Sequence, residues 1–239
     1  MIKIIPVLAT IITILSISCT QQYTKVKEEN KIDIDLKTDD SIGLKATFYK
    51  GGKEMPSIIL LHMLDRNRND WNEFAISLQK IGYNVVSIDL RGHGESSLNW
   101  KSLSENDFNN MVLDVKAAKE FLASQGLDDK IAIIGASIGA NTALNYAVQD
   151  NSVKTIILLS PGLNYRGVKT EETIKQFKNP ILIVAAQGDT YSLDSSRTLN
   201  SLSKISVLKI YQGSEHGTRL FGKTNIDKMI IQWIKNDLR

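Results

Sequence analysis

The residues best placed for chemistry are Gly135-Ala136-Ser137-Ile138-Gly139, a serine with glycines two residues to either side, directly after the apolar run Ile131-Ala132-Ile133-Ile134. This spacing is typical of a sharp turn from a strand into a helix, which exposes the serine Oγ and leaves no room for side chains at the glycine positions. The backbone N–H of Ile138 would open the helix and point toward a developing oxyanion. The pattern predicts a serine nucleophile with one oxyanion donor. A glycine-rich turn without chemistry is the alternative.

A serine nucleophile needs a base and an acid that orients the base. Where hydrolases carry this elbow, the partners follow in the order nucleophile, acid, histidine, and His216 is the only histidine after Ser137. Among the acidic residues between them, Asp189 alone comes just after a predicted strand, so we expect Asp189 to orient His216. Asp194 is the second candidate. It ranks below Asp189 because it could lie in the solvated first turn of the following helix.

The elements that must position these residues are strands and helices in repeated alternation. The amino-terminal segment alternates with period two and predicts an antiparallel hairpin, whereas the later strands are continuous apolar runs typical of strands buried on both faces. The predicted strands are 31–36, 42–49, 57–62, 85–88, 131–134, 153–159, 181–185 and 205–211. We therefore expect an α/β fold with a mostly parallel sheet, helices on both faces, and a site at the carboxyl ends of the strands.

Composition limits the classes of protein that need consideration. The 239 residues, 42% of them hydrophobic, suit one domain with a single sizeable core, which we place at 31–239. The net charge of +3 and the lack of a long Lys/Arg run interleaved with aromatics do not indicate a nucleic-acid partner. Three histidines and one cysteine without metal-ligand spacing predict neither a structural metal nor a disulfide framework.

The amino terminus predicts export. Residues 1–18 have a basic start and an apolar stretch of signal-peptide length, and Leu15-Ser16-Ile17-Ser18-Cys19 resembles a bacterial lipoprotein signal. That resemblance implies that Cys19 becomes the lipidated first residue, although the leucine lies one position earlier than is usual. Residues 19–30 are then a polar tether. We expect a membrane-anchored lipoprotein of the cell envelope, with a secreted or periplasmic protein as the alternative.

Several motifs together resemble the α/β-hydrolase superfamily, from about Lys31 to the end of the chain. They are Leu60-Leu61-His62-Met63-Leu64, Asp89-Leu90-Arg91-Gly92-His93-Gly94-Glu95-Ser96, the serine elbow, Asp189, and His216-Gly217. The chain looks most like small, lid-poor esterases and dienelactone-hydrolase-like proteins, which cleave carboxylic esters through a serine acyl-enzyme. The resemblance implies a small-molecule ester substrate, a Ser137-Asp189-His216 triad and no cofactor.

The resemblance also assigns the second oxyanion donor. The family usually carries His-Gly-x after the third strand, with the N–H of x as donor, and here Met63 replaces that glycine, so Leu64 takes the donor position. His62 and His93 correspond to residues that hold loops and do not transfer protons.

Other functions use the same residues or the same fold. A non-catalytic lipoprotein that binds a ligand or partner, and an acyltransferase with the same triad, remain alternatives. A nucleotide-binding protein is disfavoured, because the turn after Ile134 matches neither glycine-rich phosphate motif. The connection 161–179 is too short for a multi-helix cap, so we expect a minimal lid, an open site and a preference for short acyl chains or a bulky soluble ester.

Overall fold

The structure, a computed structural model, describes residues 30–238, and ten strands run through this part of the chain. They are β1 (Lys31–Lys37), β2 (Gly43–Tyr49), β3 (Ser57–Leu61), β4 (Asn84–Ile88), β5 (Ile131–Ala136), β6 (Val153–Leu159), β7 (Asn164–Tyr165), β8 (Val168–Lys169), β9 (Ile181–Ala186) and β10 (Ser206–Tyr211). The helices are α1 (Asn72–Lys80), α2 (Glu105–Asn109), α3 (Met111–Ser124), α4 (Ile138–Ala147), α5 (Glu171–Ile174), α6 (Thr190–Leu202) and α7 (Ile226–Asp237).

Eight of these strands form one sheet in the order β1-β2-β4-β3-β5-β6-β9-β10. The strand β2 pairs antiparallel with β1 and with β4, and the other pairs are parallel. The prediction of a mostly parallel sheet with an amino-terminal antiparallel hairpin is therefore confirmed. Because parallel strands end at the same edge, the residues that follow β5, β9 and β10 are brought close together.

An apolar core lies on each face of the sheet, as the continuous apolar strands predict. Successive side chains of a strand point to opposite faces, so Ile59 and Leu61 pack with α3 and α4 while Ile58 and Leu60 pack with α1 and α7. All five residues of β3 are buried. The helices therefore cover both faces, and the sheet edge is left for the loops that carry polar residues.

Asp70 and Glu73, three residues apart before an apolar run, have the sequence pattern of a helix cap, but the segment before α1 is built differently. A 3-10 turn, Arg68–Trp71, precedes the helix, and Asn67 caps that turn by accepting the N–H of Asn69. The Asp70 carboxylate instead pairs with Arg66 and accepts a hydrogen bond from Thr218 at 3.0 Å. A long-range contact therefore outweighs the local capping preference.

The motif 89–96 forms a buried polar network beyond the end of β4. Asp89 pairs with Arg68, and Arg91 binds Asp114 at 2.8 Å and Asp40 at 2.7 Å. Burial raises the pKa of Asp114 to about 6, although its hydrogen bonds with Arg91 act in the opposite direction. These paired charges fix the loops beside the sheet edge, because an unpaired buried charge would be strongly destabilising.

The connection from β6 to β9 contains no multi-helix cap. It holds the two-residue strands β7 and β8, which pair as a hairpin, and the single-turn helix α5. The predicted minimal lid is confirmed.

The predicted signal segment and Cys19 lie outside residues 30–238, the part of the chain that the structure describes. Within residues 30–238, no helix has the length and apolar character needed to cross a membrane.

Candidate active site

Ser137 lies on a strained turn between β5 and α4. Its backbone has φ 55° and ψ −120°, a conformation that non-glycine residues rarely adopt, and its N–H donates to Leu159 O at 2.8 Å. A Cβ on Gly135 would collide with the Gly139 carbonyl, and one on Gly139 would lie 2.6 Å from the carbonyl oxygens of Leu61 and His62. The close backbone approach therefore requires both glycines, as the sequence predicts.

Asp189 and His216 come from neighbouring parallel strands. Asp189 follows β9 and His216 follows β10, and the Asp189 Oδ2 atom lies 2.7 Å from His216 Nδ1. Backbone bonds from Gln187 to Tyr211 and from Gly188 to Gly213 hold the two loops together. An ionised carboxylate only accepts hydrogen bonds, so Nδ1 carries the proton and Nε2 is left as an acceptor.

The charge of Asp189 is stabilised within the site. Burial alone would raise the pKa of this carboxyl, but hydrogen bonds from His216, Ser192 and Ser160 outweigh burial and hold the pKa below its ordinary value. Asp194, the second candidate acid, is exposed on α6 and reaches Arg197 at 3.5 Å. Of the two carboxylates, only Asp189 lies beside His216.

The two expected oxyanion donors follow the ends of two neighbouring parallel strands, β5 and β3. Ile138 is the first residue of α4, where backbone N–H groups lack intrahelical partners, and Leu64 follows β3. Among residues 30–238, neither N–H donates to another protein group. Both are therefore free to bind a substrate oxygen.

His62 fixes the loop that carries Leu64. Its Nδ1 lies 2.6 Å from Met63 O, and its Nε2 accepts the N–H of Leu90 at 3.0 Å. Burial lowers the pKa of His62 to about 3, so the ring is neutral and can make both bonds. His93 stacks on Trp100, whose indole N–H donates to Asp65 at 3.0 Å. These contacts agree with a loop-holding role for both histidines.

Met63 stands where the α/β-hydrolases that the sequence motifs resemble have glycine, and its side chain packs beneath the histidine loop. Gly217, the residue after His216, has φ +57°, and a Cβ there would overlap with Met63 Sδ and lie 2.9 Å from its Cγ. Met63 itself is only 5% exposed. The methionine and the glycine are thus complementary in shape.

Sequence reasoning did not find Tyr165, Ser192 or Ser160, which surround Asp189 and His216. The Tyr165 hydroxyl lies 3.0 Å from Ser192 Oγ, and Ser192 Oγ lies 3.3 Å from His216 Nδ1. Ser160 directly follows β6, so its place at the carboxyl edge was a usable signal. Tyr165 belongs to a short hairpin whose sequence carries no motif.

The serine is less open than the short connection suggested. Ser137 is 6% exposed, and its hydroxyl interacts with that of Tyr165. Among the residues that the structure describes, no hydrogen bond joins Ser137 Oγ to His216, an arrangement common before substrate binds. In the same part of the chain, the His, Cys, Asp and Glu side chains form no group of three able to hold a metal ion.

Comparison with known proteins supports this fold. The sequence profile of the family described as serine aminopeptidase, S33, matches residues 53–169, just under half of the chain. The chain is similar to protein phosphatase methylesterase 1 of Mus musculus, at 31% identity over 47% of the chain and 29% of that protein. It is also similar to the bifunctional esterase/perhydrolase DCH of Acinetobacter calcoaceticus, at 30% identity over 47% of the chain and 40% of that protein. The chain thus spans less than half the length of these relatives.

Among solved structures, an esterase from Pyrococcus furiosus superposes with a TM-score of 0.71 at 17% identity, over 87% of this chain and 93% of that one. At this identity the likeness concerns the fold alone. Together with the sheet order, it shows that the chain has the α/β-hydrolase fold.

Proposed function

We propose that this chain is a serine hydrolase that cleaves carboxylic esters through an acyl-enzyme on Ser137. The observation that carries the proposal is the 2.7 Å contact between Asp189 and His216 at the sheet edge where the strained serine turn also lies. The profile match and the esterase relatives support ester hydrolysis as the reaction class.

In the proposed reaction, His216 Nε2 takes the Ser137 hydroxyl proton as Oγ attacks the acyl carbonyl carbon. The N–H groups of Ile138 and Leu64 bind the oxygen that becomes negative. The carbonyl re-forms as the ester C–O bond breaks, and His216 gives its proton to the departing alkoxide. Water then attacks the acyl-enzyme with His216 again as base, which releases the acid and restores the serine. Asp189 stabilises the imidazolium in both halves.

The substrate class follows from the shape of the site. The connection from β6 to β9 holds only a short hairpin and the single-turn helix α5, so within residues 30–238 it builds no helical cap over a long acyl tunnel, and Ser137 itself is 6% exposed. We therefore favour small soluble esters with short acyl chains, without activation at lipid interfaces.

The test is turnover of p-nitrophenyl acetate by purified Ser137→Ala, with Ser77→Ala as the matched control. Ser77 is exposed on α1, and among residues 30–238 its hydroxyl bonds only the carbonyl of Glu73 in its own helix. Loss of the nucleophile is expected to lower kcat by roughly 10⁴- to 10⁶-fold, whereas Ser77→Ala keeps the wild-type rate. Near-normal turnover by folded Ser137→Ala protein would reject the mechanism.

We also propose that the enzyme is anchored in the cell envelope through a lipid on Cys19. A single acyl chain binds membranes only marginally, so stable anchoring implies more than one. The wild-type protein should partition with membranes and into detergent, and Cys19→Ala should not. A mature amino terminus at unmodified Cys19, measured by mass spectrometry, would rule out the anchor.

A further inference from the structure

Three hydroxyl side chains beside the acid and the base are not used by the proposed mechanism. Ser160 follows β6, Tyr165 ends β7, and Ser192 lies in the first turn of α6. Ser160 and Ser192 are fully buried. The Tyr165 ring meets the His216 ring edge-on, with centroids 6.3 Å apart.

The direction of each hydrogen bond follows from the charge on Asp189. This carboxylate is ionised and only accepts, so the Ser192 hydroxyl donates its one proton to it. The Ser192 oxygen can then accept from Tyr165 at 3.0 Å. Burial raises the pKa of Tyr165 to about 12, so the phenol keeps the proton that this bond requires. The same phenol proton is also within reach of the Ser160 carbonyl, at 3.3 Å, which can only accept.

Ser160 connects the same acid to the histidine loop. Its hydroxyl accepts the N–H of Gly217 at 2.9 Å and donates to Asp189. Its backbone has φ 50°, a strained conformation for a residue other than glycine, and its carbonyl lies 3.3 Å from the Tyr165 hydroxyl. The acid therefore receives donors from β6 and α6 besides the imidazole.

We propose that Tyr165 and Ser192 are positioning residues, forming a hydrogen-bonded chain from the β7–β8 hairpin that orients Asp189 toward His216. The proposal rests on the proposed function. In a chain of this kind, each hydroxyl polarises the next. Ser192 links the Tyr165 hydroxyl to the Asp189–His216 pair, and Tyr165 also contacts the Ser137 hydroxyl and the Ser160 carbonyl.

Tyr191 provides a matched control. Its ring contacts that of Tyr165 with centroids 5.5 Å apart, and its hydroxyl bonds the backbone N–H and carbonyl of Asn164 in the same hairpin. No hydrogen bond among the described residues links that hydroxyl to Asp189 or His216. Tyr191→Phe therefore perturbs the hairpin but leaves the chain of donors intact.

The experiment is a double-mutant cycle on the turnover of p-nitrophenyl acetate. Tyr165→Phe is expected to lower kcat about fivefold and Ser192→Ala about tenfold or more, since the second removes a hydrogen bond to a charged group. KM should change less than about twofold, because substrate binding is not affected. The double variant should be slowed by less than the product of the two single losses, because Tyr165 and Ser192 share one hydrogen bond, and Tyr191→Phe should match the wild type.

Two results overturn the inference while the wild type remains active. One is a Tyr165→Phe protein with wild-type kcat, and the other is a double variant slowed by the product of the two single losses. Because Ser192 is buried, folding is checked by circular dichroism. If Ser192→Ala does not fold, the comparison of Tyr165→Phe with Tyr191→Phe decides. Wild-type protein without ester turnover would instead overturn the proposed function and the inference with it.

Discussion

The shape match between Met63 and Gly217 leads to a quantitative prediction for Gly217→Ala. Gly217 has φ +57°, and an added Cβ would overlap with Met63 Sδ and lie 3.2 Å from the Ala136 Cβ. Gly126 has a similar φ of +69°, but an added Cβ there meets nothing within 4 Å. Comparing the two alanine variants therefore separates backbone strain from collision.

The expected magnitudes differ accordingly. Alanine at a left-handed position costs about 1–2 kcal/mol of unfolding free energy, and this is the whole effect expected for Gly126→Ala. Gly217→Ala adds the cost of forcing a methyl group into a packed core, about 1–3 kcal/mol, because the buried Met63 side chain has to move. The total is about 2–5 kcal/mol. Since the methyl group follows His216 directly, kcat/KM should also fall by about 100-fold.

Urea unfolding and p-nitrophenyl acetate turnover measure both quantities on the same preparations. Gly126→Ala should keep the wild-type kcat/KM. Met63→Ala in the Gly217→Ala background should recover part of the activity by opening space for the methyl group. Equal losses of stability in the two glycine variants, together with unchanged activity of Gly217→Ala, would refute the packing argument.

Further predictions concern pH, the acid and the substrate. Burial lowers the pKa of His62 to about 3 and also lowers the pKa of His93. Below about pH 6.5, each of these histidines therefore takes up a proton when the protein unfolds. Asp114, whose pKa burial raises to about 6, instead releases a proton on unfolding. Uptake by the two histidines exceeds the release from Asp114, so the unfolding free energy should decrease as the pH falls from about 6 to about 5, and a urea series that stays flat or rises would contradict this. Asp189→Asn should lower kcat by about 10⁴-fold. Asp194→Asn should lower it less than twofold, since the Asp194 side chain is 67% exposed. The opposite ranking would make Asp194 the acid of the triad. Along a series of p-nitrophenyl esters, the rate should be highest for short acyl chains, and a rate increase above the critical micelle concentration would indicate a lipase-like cover.

The sequence predicted the fold because its strands are simple apolar runs. A strand that is buried on both faces, such as 57–61, has apolar residues at successive positions and no alternation with polar ones. The glycine spacing around Ser137 indicates a close approach of two backbone segments, which the structure confirms. Asp189 could be selected because it follows a strand, and every parallel strand ends at the same sheet edge. These signals are local in the sequence.

The features that sequence reasoning missed depend on contacts between distant segments. Tyr165 lies beside His216 only because the β7–β8 hairpin folds back over α6. Met63 stands where the α/β-hydrolases that the motifs resemble have glycine, and its contact partner Gly217 lies over 150 positions away. Asp70 has the local pattern of a helix cap but binds Arg66 and Thr218 instead. No local pattern records such pairs.

The most direct measurement of the central claim is covalent labelling of Ser137 by a fluorophosphonate. An activated serine displaces fluoride and keeps the phosphonyl group, so intact mass spectrometry of the wild-type protein should show one added group, and peptide mapping should place it on Ser137. The Ser137→Ala protein should remain unlabelled, and His216→Ala should react far more slowly. Wild-type protein that stays unlabelled, or a label on another residue that survives Ser137→Ala, would contradict the account.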